Sequence, residues 1–386
     1  MLGSQRHEFD IPREVCYLNA ASWSPLPRAS QAAGRIGVGR KGQPWRLAPD
    51  FAARQHDRAR RAAAALIKAD PADVALISSV GYGVATAGKL LRPAAGSRVL
   101  VLADDHSSPV LEWLARAPAE GFTVETVARP GDGDWTGAVL DAIERSGAAP
   151  VGLASISSVH WSDGGLVDLD RIAAALRRQG AALLVDATHS AGVLPLDVAT
   201  LDPDFLVFPT YKWVLGPYGR AFLYIAKRRQ DGVPLEQTAY GRRAVAAERV
   251  PYFADIAYVD GARRFDMGER DHFITLEMAA IGMEMMAAWG APAIVARLQM
   301  LTDRLAEGLC DAGVRLPDRR VRAPHVLSLG FADGMPDGLI ERLAAQQVYA
   351  APRLGRLRIS PHVYNDEADV DRFIGVFRWV STTAVA

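Results

Sequence analysis

Cysteine is scarce in this sequence of 386 residues, which contains only Cys16 and Cys310. Two cysteines so far apart in the chain argue against a disulfide-stabilised scaffold and against a zinc site with closely paired ligands. A composition of this kind is typical of a protein from a reducing compartment.

The sequence also lacks any run of about 18 apolar residues that could cross a bilayer, and the segment Met1–Glu14 lacks the apolar centre of a signal peptide. Neither charge is in excess, because Lys plus Arg and Asp plus Glu both number 44. Nucleic acid and membrane surfaces are therefore not indicated as partners. We expect a cytoplasmic protein that acts on a small molecule.

What the sequence does contain is an alternation of short apolar runs and helical segments between residues 74 and 226, which predicts an α/β fold. Each run is almost continuously apolar, as in parallel strands that are buried on both faces of a sheet. A helix that begins after the N-cap candidate Asp168 and ends near Gly180 would connect two of the strands. The runs are Val99–Ala103, Val151–Ile156, Ala182–Val185, Phe205–Phe208 and Ala221–Ile225.

The pattern changes after residue 250. A turn-rich stretch at 263–271 precedes helical segments at 273–289 and 292–312, and the end of the chain combines short apolar runs with a helix from Asp366 onward. We predict a large domain over residues 16–255 and a smaller α+β domain over residues 256–386, which also includes residues 1–15.

Polar and aromatic side chains follow four consecutive candidate strands. The carboxyl ends of parallel strands meet at one edge of a sheet, where open α/β proteins bind their ligands. These residues should therefore line one site. In strand order they are His106, then His160 with Trp161, then Asp186 with His189, then Thr210, Tyr211 and Lys212.

Asp186 and Lys212 together suit the cofactor pyridoxal 5′-phosphate (PLP). A buried carboxylate keeps a neighbouring pyridine nitrogen protonated, which makes the ring a better electron sink. A partly desolvated lysine has a lowered pKa and adds to an aldehyde. The segment 78–83, which includes Ser79, Gly81 and Tyr82, precedes a predicted helix whose free N–H groups would bind a phosphate.

Over nearly its whole length the chain resembles the class V aminotransferases, a family of fold-type I PLP enzymes. The family includes cysteine desulfurases, kynureninase-like hydrolases and isopenicillin N epimerase-like proteins. The resemblance implies a large domain with a mostly parallel, seven-stranded type of sheet sandwiched by helices, and it implies a homodimer. It rests on the segments Tyr17–Ala21, Asp186–Gly192, Thr210–Lys212 with Gly216–Pro217, and Arg358–Ser360.

The resemblance also implies roles for the matching residues. Lys212 would hold PLP as a Schiff base and move the proton at the substrate α-carbon, Asp186 would pair with the ring nitrogen, and His106 would stack on the ring. Arg358 would bind the substrate carboxylate as a planar, bidentate partner. The other cofactor contacts would be His189 at the ring hydroxyl and Ser79, Gly81, Tyr82, Thr210 and Tyr211 around the phosphate, with Trp161 and Asn19 beside the substrate.

Two departures from the family pattern matter. Desulfurases carry a nucleophilic cysteine shortly before the carboxylate-binding arginine, and this chain has no cysteine between Pro317 and Arg358, so persulfide chemistry is not expected. Where the neighbouring subunit often contributes a Gly-Thr pair to the phosphate, this chain has Met267–Arg270. Arg270 would substitute for that contact.

The motifs leave the reaction open, because enzymes that break different bonds share the residues that bind PLP. Transamination of a small amino acid or amine is the most economical interpretation, and a PLP-dependent lyase, epimerase or kynureninase-like hydrolase is the alternative. A non-catalytic PLP-binding protein is less consistent with the joint presence of Lys212, Asp186 and Arg358. We expect no metal, since the remote alternative of a metal-dependent hydrolase lacks ligands at helical spacing. Its candidate ligands would be His106, His160, His189, Asp104 and Asp186.

Overall fold

The computed structural model describes residues 2–245, 248 and 250–382. Its strands are β1 (Cys16–Tyr17), β2 (Val74–Ile77), β3 (Arg98–Leu102), β4 (Thr123–Val127), β5 (Val151–Ser157), β6 (Ala182–Asp186), β7 (Phe205–Pro209), β8 (Ala221–Ile225), β9 (Arg242–Val245), β10 (Phe253–Tyr258), β11 (Leu327–Leu329), β12 (Val348–Tyr349), β13 (Ala351–Arg353) and β14 (Arg356–Ile359). Its α-helices are α1 (Arg28–Gly42), α2 (Phe51–Ile67), α3 (Val80–Leu90), α4 (Ser107–Glu120), α5 (Trp135–Glu144), α6 (Leu169–Arg178), α7 (Val198–Leu201), α8 (Thr275–Trp289), α9 (Ala291–Gly308), α10 (Leu339–Ala345) and α11 (Glu367–Thr382).

A seven-stranded sheet forms the centre of the molecule, with its strands in the order β2-β8-β7-β6-β5-β3-β4. The strands from β7 to β4 are parallel, whereas β8 is antiparallel to both of its neighbours. This confirms the predicted α/β fold with a mostly parallel sheet. The five apolar runs read from the sequence are five of these strands, with ends that differ by one residue or none.

The sheet is covered on both faces, as a parallel sheet requires. Successive residues of β6 show this, because Leu183 and Val185 pack into one hydrophobic cluster while Leu184 packs into the other. The crossover helix α6 begins as predicted, since the Asp168 carboxylate accepts a hydrogen bond of 3.1 Å from the Arg171 amide. Gly180 follows its end with a φ of +67°, a conformation that suits glycine.

A second packing unit lies at the end of the chain. Strands β11, β14 and β13 form an antiparallel sheet, and α9 and α11 pack in the same hydrophobic cluster as its buried residues. Short strand β1 joins this unit by pairing with β12, and Cys16 and Leu18 are buried there. Helix α9 ends at Gly308, so the prediction that Cys310 lies inside a helix is wrong, and Cys310 is in the exposed turn that follows.

The predicted domain division at residues 255 and 256 stays a prediction, and packing suggests a refinement of it. Leu276 and Met283 of α8 are buried in a cluster of the large sheet, whereas Ile294 and Leu298 of α9 are buried in the C-terminal cluster. We propose that the junction lies near Gly290, between these two helices.

Among the helices that the structure describes, none is long and apolar enough on its own to cross a membrane. Helices α8 and α9 reach the required length and composition only as a pair, which is bent by 82°.

Candidate active site

Strands β5 and β6 end level with each other, because Ser157 pairs with Asp186, and β7 continues two residues beyond Val207, the partner of Asp186. Two adjoining cavities open at this edge of the sheet. The inner cavity has a volume of about 150 Å³, and the outer cavity has a volume of about 580 Å³. The inner cavity is lined in part by Ser79, Gly81, Asp186, His189 and Arg220, the outer by Asn19, Ser22, Trp23, Arg353 and Arg358, and both by His106, Trp161, Tyr211 and Lys212.

Lys212 lies where the two cavities meet, and its side chain is almost completely buried. Burial, together with the positive charge of Arg358, lowers the pKa of the Lys212 amine to about 7, although Asp186 acts in the opposite direction. A large fraction of the amine is therefore neutral near neutral pH. A neutral, buried amine is a nucleophile that can add to a carbonyl group.

His189 stands beside this amine in one defined tautomer. The Trp213 indole N–H donates to His189 Nδ1 at 3.0 Å, so the ring proton must be on Nε2, which lies 3.3 Å from Lys212 Nζ. Burial lowers the pKa of His189 well below its ordinary value, and the charge of Lys212 adds to the effect. His189 is therefore a neutral donor that points its Nε2–H at the site.

Two more buried histidines form hydrogen bonds with the backbone of His189 and Trp213. His325 Nε2 lies 2.7 Å from the carbonyl oxygen of His189, and His362 Nε2 lies 3.0 Å from that of Trp213. Since a carbonyl oxygen can only accept, both imidazoles donate through Nε2. Burial lowers the pKa of His325 to about 3 and that of His362 to about 4, so both rings are neutral.

Asp186 provides the negative charge of the inner cavity. Its Oδ1 accepts a hydrogen bond of 2.9 Å from the Thr188 amide, and the residue is 5% exposed. A second carboxyl group, Asp105, accepts the Ser157 hydroxyl at 2.8 Å and the His106 amide at 2.7 Å. Burial raises the pKa of Asp105 to about 6, and the charge of Asp186 contributes to the increase. Asp105 positions the backbone of His106, a role that the sequence did not reveal.

His106 and Trp161 contact each other where they line both cavities. Their rings meet edge to face, with centroids 6.0 Å apart and an interplanar angle of 88°. Trp161 is held by a hydrogen bond of 2.7 Å from its indole N–H to the carbonyl oxygen of Asp104. His160, by contrast, lines neither cavity, since it stacks on Trp135 with centroids 4.8 Å apart.

The N-terminus of α3 also lines the inner cavity. The Ser79 hydroxyl caps the helix by accepting from the Tyr82 amide at 3.1 Å, and a Cβ added to Gly81 would meet only that hydroxyl, at 3.9 Å. Arg220 also lines this cavity, is buried, and donates from Nε to the Thr275 hydroxyl at 2.8 Å. Burial lowers the pKa of Arg220. Arg220 is a cation beside the helix N-terminus that the sequence-based prediction missed.

Some of the residues that were predicted to contact the phosphate interact with other protein groups in this structure. The Thr210 hydroxyl donates to the carbonyl oxygen of Pro217 at 2.6 Å, and neither Thr210 nor Tyr82 lines the described part of the inner cavity. Tyr211 lines both cavities and packs on Tyr218 with ring centroids 4.2 Å apart. Arg270 pairs with Asp266 and lies over the Tyr240 ring. The predicted phosphate roles of Thr210, Tyr82 and Arg270 stay predictions.

Arg358 reaches the outer cavity from β14 and is 1% exposed. It donates to the carbonyl oxygen of Trp161 at 2.5 Å and to the Ser22 hydroxyl at 2.9 Å. Burial and the charge of Arg353 lower the pKa of the Arg358 guanidinium to about 9. Asn19 lies in the same wall, and its Oδ1 is buried without a hydrogen-bond partner among the described residues.

The positions of the two cysteines and of possible metal ligands are defined for the described residues. Cys16 and Cys310 line neither cavity. Within residues 2–245, 248 and 250–382, no group of three or more His, Cys, Asp and Glu residues is arranged to hold a metal ion.

Comparison with known families identifies one match that spans most of the chain. The model of the family described as Aminotransferase class-V matches residues 40–373. The chain is 28% identical to the uncharacterized aminotransferase YcbU of Bacillus subtilis over 86% of this chain and 84% of that protein. It is 26% identical to isopenicillin N epimerase of Streptomyces clavuligerus over 93% of both chains. It is 27% identical to kynureninase of Burkholderia pseudomallei over 96% of this chain and 90% of that protein.

Solved structures with the same fold also exist. A cysteine desulfurase from Thermococcus onnurineus superposes with a TM-score of 0.82 and 21% sequence identity, and the match covers 97% of this chain and 96% of that chain. At this level of identity the likeness establishes the fold, namely the α/β architecture of fold-type I.

Proposed function

We propose that this chain, which belongs to the class-V aminotransferase family and is a PLP-dependent enzyme, acts on the amino group of a small amino acid or amine. Transamination is the reaction that requires the fewest additional groups. The observation that carries the proposal is the buried amine of Lys212, whose lowered pKa leaves a large fraction of it neutral near neutral pH and which lines one cavity together with the carboxylate of Asp186.

The residues of the inner cavity fit this cofactor. Asp186 would hold the ring nitrogen, and Lys212 would hold the aldehyde carbon. The open space at Gly81, the N–H groups of the first turn of α3 and the Arg220 cation would hold the phosphate. When bound, PLP would supply an electron-poor ring that accepts the electron pair released at the substrate α-carbon.

The side chains around that cofactor would each have one task. Lys212 Nζ would take and return the proton of the α-carbon, since its lowered pKa allows both protonation states near neutral pH. The Nε2–H of His189 would donate to the ring hydroxyl. His106 and Trp161 would cover the ring and keep water out, and Arg358 would bind the substrate carboxylate.

The first experiment is an absorbance spectrum of the purified protein with PLP, recorded for the wild type, for Lys212→Ala and for Lys68→Ala. Lys68 is a matched control because its exposed amine pairs with Asp197 and neither residue lines the two cavities. We expect a visible band that requires Lys212, that bleaches with an amino acid and that returns with a keto acid.

Other outcomes separate the alternatives. A band that forms and responds to amino acids, but does not return with any keto acid, would replace transamination by elimination, epimerisation or hydrolysis. The absence of a Lys212-dependent band would overturn the cofactor assignment.

A homodimer in the cytoplasm is part of the same proposal. It is supported by large apolar side chains that are exposed beside the site, such as Trp23 (66% exposed) and Tyr218 (69% exposed), which a second subunit would cover. Two free cysteines are consistent with a reducing compartment. Light scattering during gel filtration would test the dimer, and cell fractionation would test the location.

A further inference from the structure

The outer cavity contains a second arginine that the assigned carboxylate anchor does not account for. Strands β13 and β14 are antiparallel, with Ala351 opposite Arg358 and Arg353 opposite Arg356. Side chains that are directly opposite, or two residues apart along a strand, share one face of a sheet. Arg353 and Arg358 therefore extend from the same face, and both line the outer cavity.

Both guanidinium groups converge on one neutral oxygen. Arg353 donates to the Ser22 hydroxyl at 2.7 Å, and Arg358 donates to the same hydroxyl at 2.9 Å. The Ser22 oxygen has two lone pairs and can accept both bonds, but it carries no charge to balance two cations. Two like charges thus share a wall of the cavity with the Lys212 amine.

No carboxylate neutralises either arginine in the described part of the chain. The other hydrogen bond of Arg353 is to the carbonyl oxygen of Pro352, and the Nε of Arg358 is buried without a hydrogen-bond partner among the described residues. Buried charges in proteins are normally paired. Among the other buried arginines, Arg60 pairs with Asp266, Arg98 with Glu125, Arg297 with Glu367 and Arg322 with Asp303. Arg220 has no carboxylate partner among the described residues, and it lines the inner cavity, where the phosphate would bind.

A substrate with one carboxylate would balance only one of these two charges. Arg358 is the deeper group at 1% exposed, and Arg353 lies nearer the opening, half-buried, with its Cζ 5.9 Å from the centre of the Trp161 ring. A ligand with two carboxylates would place one in the deeper position and one toward the opening. Guanidinium groups are suited to bind carboxylates through two parallel hydrogen bonds.

We propose that Arg353 is a specificity-determining residue that binds a second carboxylate, so that the preferred substrates are dicarboxylic amino acids. This inference rests on the proposed function, since it assigns Arg358 to the carboxylate next to the reacting amino group.

The first test compares matched substrates on the PLP-loaded enzyme. The ratio of kcat/KM is measured for aspartate over asparagine and for glutamate over glutamine. We expect the acidic member to be preferred about 10- to 100-fold in the wild type, because a charge-assisted contact is lost with the amide. In Arg353→Gln the ratio should fall to about threefold or less, and Arg353→Lys should restore part of it.

Arg356→Gln is the matched control. Arg356 has the same charge and lies opposite Arg353 in the same hairpin, but it does not line the outer cavity. The control should keep the wild-type ratio. A wild-type enzyme without acidic preference, or an Arg353→Gln variant that loses both members of a pair equally, would overturn the proposal.

A binding measurement decides the question without turnover. The dissociation constants of succinate and butyrate are measured by calorimetric titration of the PLP-loaded protein. In the wild type and in Arg356→Gln, the dissociation constant of succinate should be about tenfold or more below that of butyrate. In Arg353→Gln, the two constants should differ by less than about threefold. Equal affinities in the wild type would contradict the inference. A failure of the proposed function would be recognised separately, because the absorbance spectrum with PLP would then show no Lys212-dependent band.

Discussion

At the scale of single residues, the tautomer of His189 depends on one indole. Trp213 is 1% exposed and donates its N–H to His189 Nδ1, which leaves the Nε2 proton facing Lys212. Without that donor, the histidine can place its proton on either nitrogen, and the Nδ1–H form presents an acceptor to the site. Trp213 is therefore a positioning residue.

We predict that Trp213→Phe lowers kcat about tenfold, the effect of losing one buried hydrogen bond at the site. The wavelength of the visible band and the pH profile of kcat should change as well, since the group beside the bound ring would no longer be a fixed donor. Steady-state kinetics and absorbance spectra across pH measure these effects.

Trp113→Phe is the control for packing alone. Trp113 is also completely buried, and its indole N–H has no hydrogen-bond partner among the described residues. The control should lower thermal stability at most and leave the spectrum unchanged. An unchanged spectrum and pH profile in Trp213→Phe would contradict the positioning role.

Lys212 leads to a pH prediction. Its pKa is lowered from 10.5 to about 7, chiefly by burial, so the folded protein disfavours the protonated amine, and the reactive neutral form accumulates above pH 7. The rate at which the apoprotein develops the visible band with PLP should rise with a midpoint near pH 7 and level off above about pH 8. Stopped-flow absorbance between pH 5.5 and about 10.5 measures it.

Nα-acetyl-lysine is the reference for this measurement, because its amine is fully solvated and reacts increasingly up to about pH 10. The same dependence in the protein would mean that Lys212 is not desolvated. Arg353→Gln should move the protein midpoint upward, since it removes a positive charge that disfavours protonation of Lys212.

At the scale of elements, helix α8 supports the loop that follows Lys212. A methyl group on Gly282 would overlap the carbonyl oxygens of Val214 and Leu215. Leu215 itself has a φ of +58°, in the left-handed region that non-glycine residues rarely adopt. Helix α8 thus packs directly against the backbone of a loop that has an unusual conformation.

We predict that Gly282→Ala destabilises the protein by about 1–3 kcal/mol, as overpacking does, and weakens PLP binding about tenfold by displacing the loop. Thermal unfolding and a fluorescence titration with PLP measure the two effects.

Gly375→Ala is the opposite case within the same chain. Gly375 lies inside α11, is exposed, and a Cβ added there would have no heavy atom within 4 Å. Alanine should stabilise this helix by about 0.5–1 kcal/mol and leave PLP binding unchanged. Equal behaviour of the two variants would contradict the role of α8 as a support for the loop.

At the scale of the whole molecule, the N-terminal segment is attached to the C-terminal unit through a buried ion pair. Arg6 donates to Asp369 at 2.9 Å and to the carbonyl oxygen of Val15 at 2.8 Å, and the Asp369 side chain is 2% exposed. Phe9 is buried in the cluster that contains Phe373.

We predict that Arg6→Ala lowers the free energy of unfolding by about 3 kcal/mol, because it leaves the Asp369 carboxylate buried without its cation. Arg13→Ala is the control, since the pair between Arg13 and Asp366 is more exposed than that between Arg6 and Asp369, with side chains that are 55% and 24% exposed. That loss should be about 1 kcal/mol or less. Urea unfolding compares both variants, and equal losses would contradict the argument.

The sequence by itself determined the parts of this protein that depend on local patterns. Continuous apolar runs identified five strands of the large sheet, and the N-cap Asp168 identified the start of a crossover helix. Because parallel strands end at a common edge, the positions of Asp186 and Lys212 after their strands were enough to place them in one site. The family resemblance added Arg358.

Only the tertiary structure decided the features that depend on contacts between distant segments. The donation from Trp213 to His189 and the position of Arg220 beside α3 follow from how loops pack, which has no local signature. The same holds for the hydrogen bonds of Arg353 and Arg358 to Ser22, because they join a hairpin near the end of the chain to a segment near its start. Local propensity shapes each element, whereas charge balance and hydrogen-bond partners are settled when the elements pack.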